Sequence, residues 1–262
     1  MTLVPVVHAF GLARTAADAS EDAYAVDVDV ARFALADGAS SAWRAGDWAA
    51  ALVAAWVATP RPRVRGGGPA EGFARWLEGA RKAFAPEGAA PADQAWFATA
   101  AAERGAHATF VGLELTGLGG RRPRLRAFAV GDSCLLHVRA DRLELATPLD
   151  DPAAFGSHPE LVSSLPGSPA PAPVVTETAV RADDLLLLAS DALAAFMLRL
   201  DADGEAIWPA MRRLDTAGFA RLAGEGIASG LLERDDLTLV RIVLAPAPAD
   251  APGGPDAPGG SA

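Results

Sequence analysis

Five acidic points along the chain carry residue types that can do chemistry together. They are Glu21-Asp22 before AYAV, Asp37-Gly38 in RFALADGASS, Asp132 in AVGDSCLL, Asp191 in LLLLASDALAAF, and Asp235-Asp236 before LTLVRIVL. Each stands at the end of an apolar, strand-like run, so its carboxylate rests on a rigid base, and at Asp37 a flexible glycine follows. Taken singly, each is a turn residue where Asp is common. Taken together, in a chain with four histidines and one cysteine, they favour a shared metal site built from oxygen ligands.

The elements that must position these residues follow from the apolar pattern. Leu3 to Phe10 reads as a strand whose Pro5 suggests a sheet edge. Ala23 to Val28 and Arg32 to Ala36 read as a tight hairpin, which puts Glu21-Asp22 and Asp37 at the same end of one sheet. Helices are expected over Gly46 to Val57, where Trp48, Leu52 and Trp56 recur at spacing four, over Glu71 to Phe84, and over Asp93 to Arg104. Strands are expected at Ala108 to Leu115, Leu125 to Val130, Cys134 to Val138, Asp141 to Leu145, Val174 to Val180, Leu185 to Ala189 and Leu237 to Leu244. Helical stretches fall at Ala192 to Leu200, near Pro209, and at Thr216 to Ala223. Asp150 to Ala172 reads as a long surface excursion with a mobile SPAPAP run. Arg61 to Gly68 is a solvated linker or a basic loop near a phosphate.

Strands, helices, strands, helices and a last strand do not alternate as βαβ units do. The expected fold class is therefore α+β: two packed antiparallel sheets with helices outside. One domain is expected over 1–244, followed by a disordered Pro/Ala/Gly tail over 245–262.

Composition narrows the function. The formal net charge is −10, which argues against general nucleic-acid or membrane attraction. One cysteine, Cys134, allows neither an internal disulfide framework nor a thiolate zinc cage, and its apolar setting reads as a small buried residue. His8, His107, His137 and His158 form no HExxH. The N-terminus lacks a signal-peptide pattern and no run is long enough to span a bilayer, so the expected location is cytoplasmic.

With these motifs in hand, the chain resembles the PP2C-type metal-dependent protein serine/threonine phosphatases, particularly the compact bacterial forms. SEDAY at 20–24, ADGAS at 36–40, HATF at 107–110, VGDS at 130–133, LLLASDALAAF at 186–196 and RDDLTLVRI at 234–242 carry the resemblance in order, over nearly the whole folded region. It implies a β-sandwich flanked by helices, and Mn2+ or Mg2+ as cofactor: two ions, and a third, weaker one. By this resemblance Glu21 reaches one ion through water, Asp37 bridges both, and Gly38 lends its carbonyl. Asp191 and Asp235 hold the second ion, and Asp132 belongs to the third. The implied function is hydrolysis of phosphoserine and phosphothreonine in proteins by a metal-activated water, with Asp37 and Asp191 catalytic. The implied partners are a phosphorylated protein substrate and a cognate serine/threonine kinase, with no nucleic acid and no membrane.

The pattern departs from the family at three places. Ala17 stands where the family has the arginine that holds phosphate, leaving Arg14, off register, as the candidate. Ala39-Ser40 follows Asp37-Gly38 where eukaryotic members have DGHGG, and Ala192 follows Asp191 where glycine is usual. His107 is either a general acid near the site or an ordinary satisfied histidine. Ala17 and Ala192 motivate an alternative: a catalytically weak or inactive PP2C-like binding or regulatory module.

Overall fold

Strands β2, Asp22–Asp27, and β3, Arg32–Asp37, form the expected antiparallel hairpin, and their register places Asp22 directly opposite Asp37. The computed structural model describes residues 1–15, 19–39, 42–58, 68–84, 103–156 and 158–248. Ala17, Arg61, Arg63, most of the helix expected over 93–104, and 249–262 of the expected tail lie outside them.

Two five-stranded antiparallel sheets carry the fold. The first runs β10-β6-β5-β3-β2, adding β5, Phe110–Thr116, β6, Arg124–Val130, and β10, Val174–Ala179. The second runs β1-β12-β11-β7-β8. Its members are β1, Leu3–Leu12, β7, Cys134–Arg139, β8, Arg142–Thr147, β11, Leu185–Ala189, and β12, Leu237–Pro246. Pro5 lies on edge strand β1, where a missing N–H is tolerated. Helices α1, Ala45–Ala58, and α2, Pro69–Phe84, cover the first sheet. Helices α3, Asp191–Ala202, α4, Ile207–Arg213, and α5, Thr216–Ser229, cover the second. The layers are thus α-β-β-α, as the α+β reading expected.

Strand β3 shows how the sequence builds two cores at once. Its period of two sends Phe33 and Leu35 between the sheets, with Leu113, Leu186 and Val240, and sends Ala34 and Ala36 toward Trp48, Leu52 and Trp56 of α1. Both faces are covered, so the run is continuously apolar rather than alternating. The small residues make room for indole. Gly112 pairs with Ala34, and a Cβ added to Gly112 would sit 2.6–2.8 Å from the Trp56 ring.

The stretch expected as a surface excursion is tied down. A two-stranded ribbon joins β4, His107–Ala108, to β9, Val162–Ser163. Trp48 Nε1 donates to the Val162 carbonyl at 2.9 Å, and the buried Arg81 donates to the Ser163 and Ser168 carbonyls at 2.9 and 2.7 Å.

At one end of the second sheet Asp184 accepts from Arg139 Nε at 2.9 Å and from the Arg181 backbone at 2.8 Å, and lies 2.9 Å from His137 Nε2. Burial opposes its charge, but the bonds from His137, Arg139 and Arg181 outweigh that and lower its carboxyl to about 2. A depressed carboxyl contributes stability above the ordinary value near 3.8 and loses it as pH falls through the folded value. Acid unfolding between about pH 4 and 2 is therefore expected to be shallower in Asp184→Asn than in the wild type. Tryptophan fluorescence against pH checks this; equal slopes would contradict it.

Candidate functional site

Topology brings the acidic points to one end of the sandwich. β2 starts where its antiparallel neighbour β3 ends, β6 runs parallel to β3 through β5, and β11 ends where β12 begins. Asp22, Asp37, Asp132, Asp191 and Asp235 therefore cluster at the same rim. Asp37, Asp132, Asp191 and Asp235 line a cleft of about 560 Å³ together with Gly38, Thr109 and His158.

Backbone ties fix each position. The Asp37 carbonyl accepts from Thr109 N–H at 2.8 Å, and Gly38 N–H donates to the Glu21 carbonyl at 3.2 Å. Gly38 is needed for closeness rather than for an unusual φ, because a Cβ there would meet Ala45 and Glu21 backbone atoms at 2.8–2.9 Å. Gly131 has φ +91 and no room for a Cβ beside Thr109, and it turns the chain from β6 into Asp132. Ser190 N–H donates to the Thr238 carbonyl at 3.1 Å, and its hydroxyl Oγ accepts from Thr238 N–H at 3.1 Å, which holds the start of α3 and Asp191 against the start of β12. Ala192 has ordinary helical placement in the first turn of α3, and its N–H donates to Asp191 Oδ1 at 2.6 Å. Alanine serves there without strain.

Asp235 and Asp236 divide the work. Asp236 is an anchor: it accepts from the backbone N–H of Arg14 at 2.6 Å and of Glu21 at 2.7 Å. Asp235 faces the cleft, with the Arg14 guanidinium 3.9 Å away at the rim. The Glu21 main chain is tied to Asp236 and to Gly38, and the Asp22 carboxylate is buried beside Asp37, Asp191 and Asp236. Both Asp22 carboxylate oxygens are buried without a well-formed hydrogen bond. Burial first, then the charges of Asp236 and Asp191, push this carboxyl up to about 8, against lowering from Thr238 and Asp37. Asp37 is raised well above the ordinary range by burial and then by Asp22, Asp191, Asp132 and Asp235. Burial and Asp191 push Asp132 up to about 7, and Asp191 is raised by burial and by Asp235 and Glu233.

These groups are hard oxygen donors with uncompensated negative charge, the chemistry that suits Mg2+ or Mn2+. The donor types fit such an ion. Their arrangement is open: among the described residues no group of three or more His, Cys, Asp or Glu side chains is placed to hold a metal ion. Cys134 is buried, and burial pushes its thiol up to about 12, so it is no nucleophile. His107 lies in β4 opposite Ser163 and is not among the residues lining the cleft; His158, with Pro159 and Leu161, is.

No protein-family model matches the chain, and no curated protein matches it. Solved structures do. The catalytic domain of the serine/threonine protein phosphatase PstP, in complex with two manganese ions, matches at 22% identity over 94% of this chain and 100% of that one, with TM-score 0.61. PppA of Pseudomonas aeruginosa, a regulatory component of T6SS, matches at 17% identity over 93% and 99%, TM-score 0.60. The phosphatase Stp1 of Staphylococcus aureus matches at 15% identity over 90% and 94%, TM-score 0.59. The chain has the PP2C phosphatase fold. In this PP2C-like frame the acidic rim is the end that β2, β3, β6, β11 and β12 share, while α1 and α2 close one side of the sandwich and α3 to α5 the other. Among the described residues no helix is long and apolar enough to cross a membrane.

Proposed function

We propose that this PP2C-like chain recognises phosphoserine and phosphothreonine on proteins, takes Mn2+ or Mg2+ in its acidic cleft, and hydrolyses the phosphate slowly. The supporting observation is the cleft itself: four aspartates from separate strand ends line one opening, yet stand apart rather than converged. Bound divalent ions supply charge neutralisation and an activated water for phosphoester hydrolysis. Asp37, with the Gly38 carbonyl, Asp191 and Asp235 would hold two ions, Asp132 a weaker third, and Glu21 would act through water. Asp236 positions Arg14 and Glu21 by their backbones. Residues 1–244 form the functional unit in this reading, a cytoplasmic protein opposing a serine/threonine kinase.

A second reading, a fully active phosphatase, is favoured by one observation. The Arg14 guanidinium sits at the rim, partly exposed, where a planar fork suits phosphate once Asp235 is engaged by a cation.

The test is release of phosphate from a phosphothreonine peptide with Mn2+ and with chelator. Slow, chelator-sensitive turnover lost in Asp191→Asn supports the proposal. Rapid turnover that falls in Arg14→Ala supports the second reading. Turnover indifferent to chelator contradicts both.

A further inference from the structure

A cavity at the opposite end of the sandwich carries the opposite charge. Four arginines, Arg121, Arg122, Arg124 and Arg181, line this cavity of about 750 Å³ together with Gly119 and Gly120, and no carboxylate lines it. Arg124 starts β6, and Asp132 follows the other end of that strand. Seven residues at strand rise separate the two ends by about 20 Å, so this cavity is not part of the acidic cleft. β10 confirms the placement, since Ala179 pairs with Arg124 and Val174 with Ala129.

The cavity is held by main-chain bonds. Leu3 N–H donates to the Leu118 carbonyl at 2.9 Å, and Val180 N–H to the Pro123 carbonyl at 3.1 Å. The turn between β5 and β6 is closed by Gly120 N–H donating to the Gly117 carbonyl at 2.9 Å, with Gly117 at φ +67. Glu177 accepts from Arg124 at 2.7 Å and from Arg126 at 2.8 and 3.0 Å, which orients Arg124 and offsets its charge. Arg121, Arg122 and Arg181 have no carboxylate partner among the described residues.

In a chain of net charge −10, a cavity with this sign selects its ligand. Guanidinium forks match the paired oxygens of a phosphoryl group, and two adjacent glycines let a ligand approach the backbone closely. The volume lies within the range of ligand pockets, roughly 300–1,000 Å³. We propose that this cavity is a second, metal-independent site for a phosphoryl group, remote from the acidic cleft. The group comes either from a small phosphorylated molecule or from a phosphorylated protein segment, and the experiment separates the two.

The full chain, stripped of metal on a chelating resin, is titrated calorimetrically with inorganic pyrophosphate and with a phosphothreonine peptide. Saturable binding of either is expected. It is expected to weaken at least about tenfold in Arg121→Glu/Arg122→Glu, whose side chains are exposed on a turn and outside every core, as charge-assisted forked bonds are lost. Arg181→Glu is a second variant from another segment and should act the same way. Arg75→Glu on α2, which matches the charge change of Arg181→Glu, should leave binding unchanged. Pyrophosphate binding alone names a small molecule as the source, and peptide binding alone names a protein. The proposal is overturned by no binding of either probe, by binding indifferent to both arginine variants, or by equal binding of a peptide with glutamate in place of phosphothreonine. Because metal is absent throughout, failure here leaves the acidic-cleft reading untouched.

Discussion

Asp37→Asn is expected to raise the melting temperature of the metal-free protein while abolishing its response to Mn2+. The two effects share one cause. Asp37 is buried and faces Asp22, Asp191, Asp132 and Asp235, so its charge is costly until a cation offsets it. Asparagine keeps the shape, and the bond from Thr109 goes to the main-chain carbonyl, so the strand end is preserved. Relief of repulsion should raise the melting temperature by about 3 °C or more, since about 1 kcal/mol corresponds to 2–4 °C at this size. In the wild type, Mn2+ at a hundredfold excess over its dissociation constant should contribute about 2.7 kcal/mol, a gain the variant loses. Turnover should fall about a hundredfold or more, beyond what loss of an outer-shell partner costs.

The pH dependence carries the same sign. Raised carboxyls stabilise the folded state while protonated, so metal-free stability should decline as pH rises from the ordinary value near 3.8 toward the folded values, about 7 for Asp132 and about 8 for Asp22. Mn2+ should flatten that decline. Calorimetry of wild type and variant, with and without Mn2+, checks all three. A lower melting temperature for metal-free Asp37→Asn with an intact Mn2+ shift would make Asp37 a structural turn residue.

Arg32→Ala is expected to cost about 3–5 kcal/mol of stability, the largest effect of any single change considered. Arg32 starts the strand that ends in Asp37 and is almost fully buried. Its guanidinium lies 3.0 Å from Glu114 and 4.3 Å from the centre of the Trp56 ring. Removing it leaves Glu114, 7% exposed, without the one ion pair it makes among the described residues. A pair of matched apolar replacements, Arg32→Met with Glu114→Leu, should recover most of the loss, because the pair's desolvation is then avoided altogether. Urea denaturation of the two single variants and the double variant measures this. Near-additive losses would contradict it.

Much of this architecture is legible in the residues themselves. The hairpin follows from two short apolar runs, and antiparallel pairing alone then puts Asp22 and Asp37 together. The spacing of Trp48, Leu52 and Trp56 gives α1 and its buried face. Other features depend on register and on distant contacts. Adjacent residues in a strand point to opposite faces, so Glu21 and Asp22 are interchangeable until the pairing is known. Asp235 and Asp236 are likewise equivalent in sequence, and only the bonds from Arg14 and Glu21 show which is the anchor. The 150–172 stretch reads as loose because its composition is Pro, Ser and Gly. What holds it are main-chain carbonyls accepting from Trp48 and Arg81, and those partners lie more than sixty residues away. For that reason Gly156, His158, Pro159 and Leu161 had no sequence signal that placed them on the cleft.

The central claim is that the carboxylates at one end of the sandwich form a cation site. A crystal of the full chain soaked in Mn2+, with anomalous data collected at the manganese edge, tests it most directly. The account predicts two anomalous peaks in the cleft, flanked by Asp37, Asp191 and Asp235, with the carboxylates drawn inward around them. A cleft without manganese, with Asp37 and Asp191 unmoved, would contradict it.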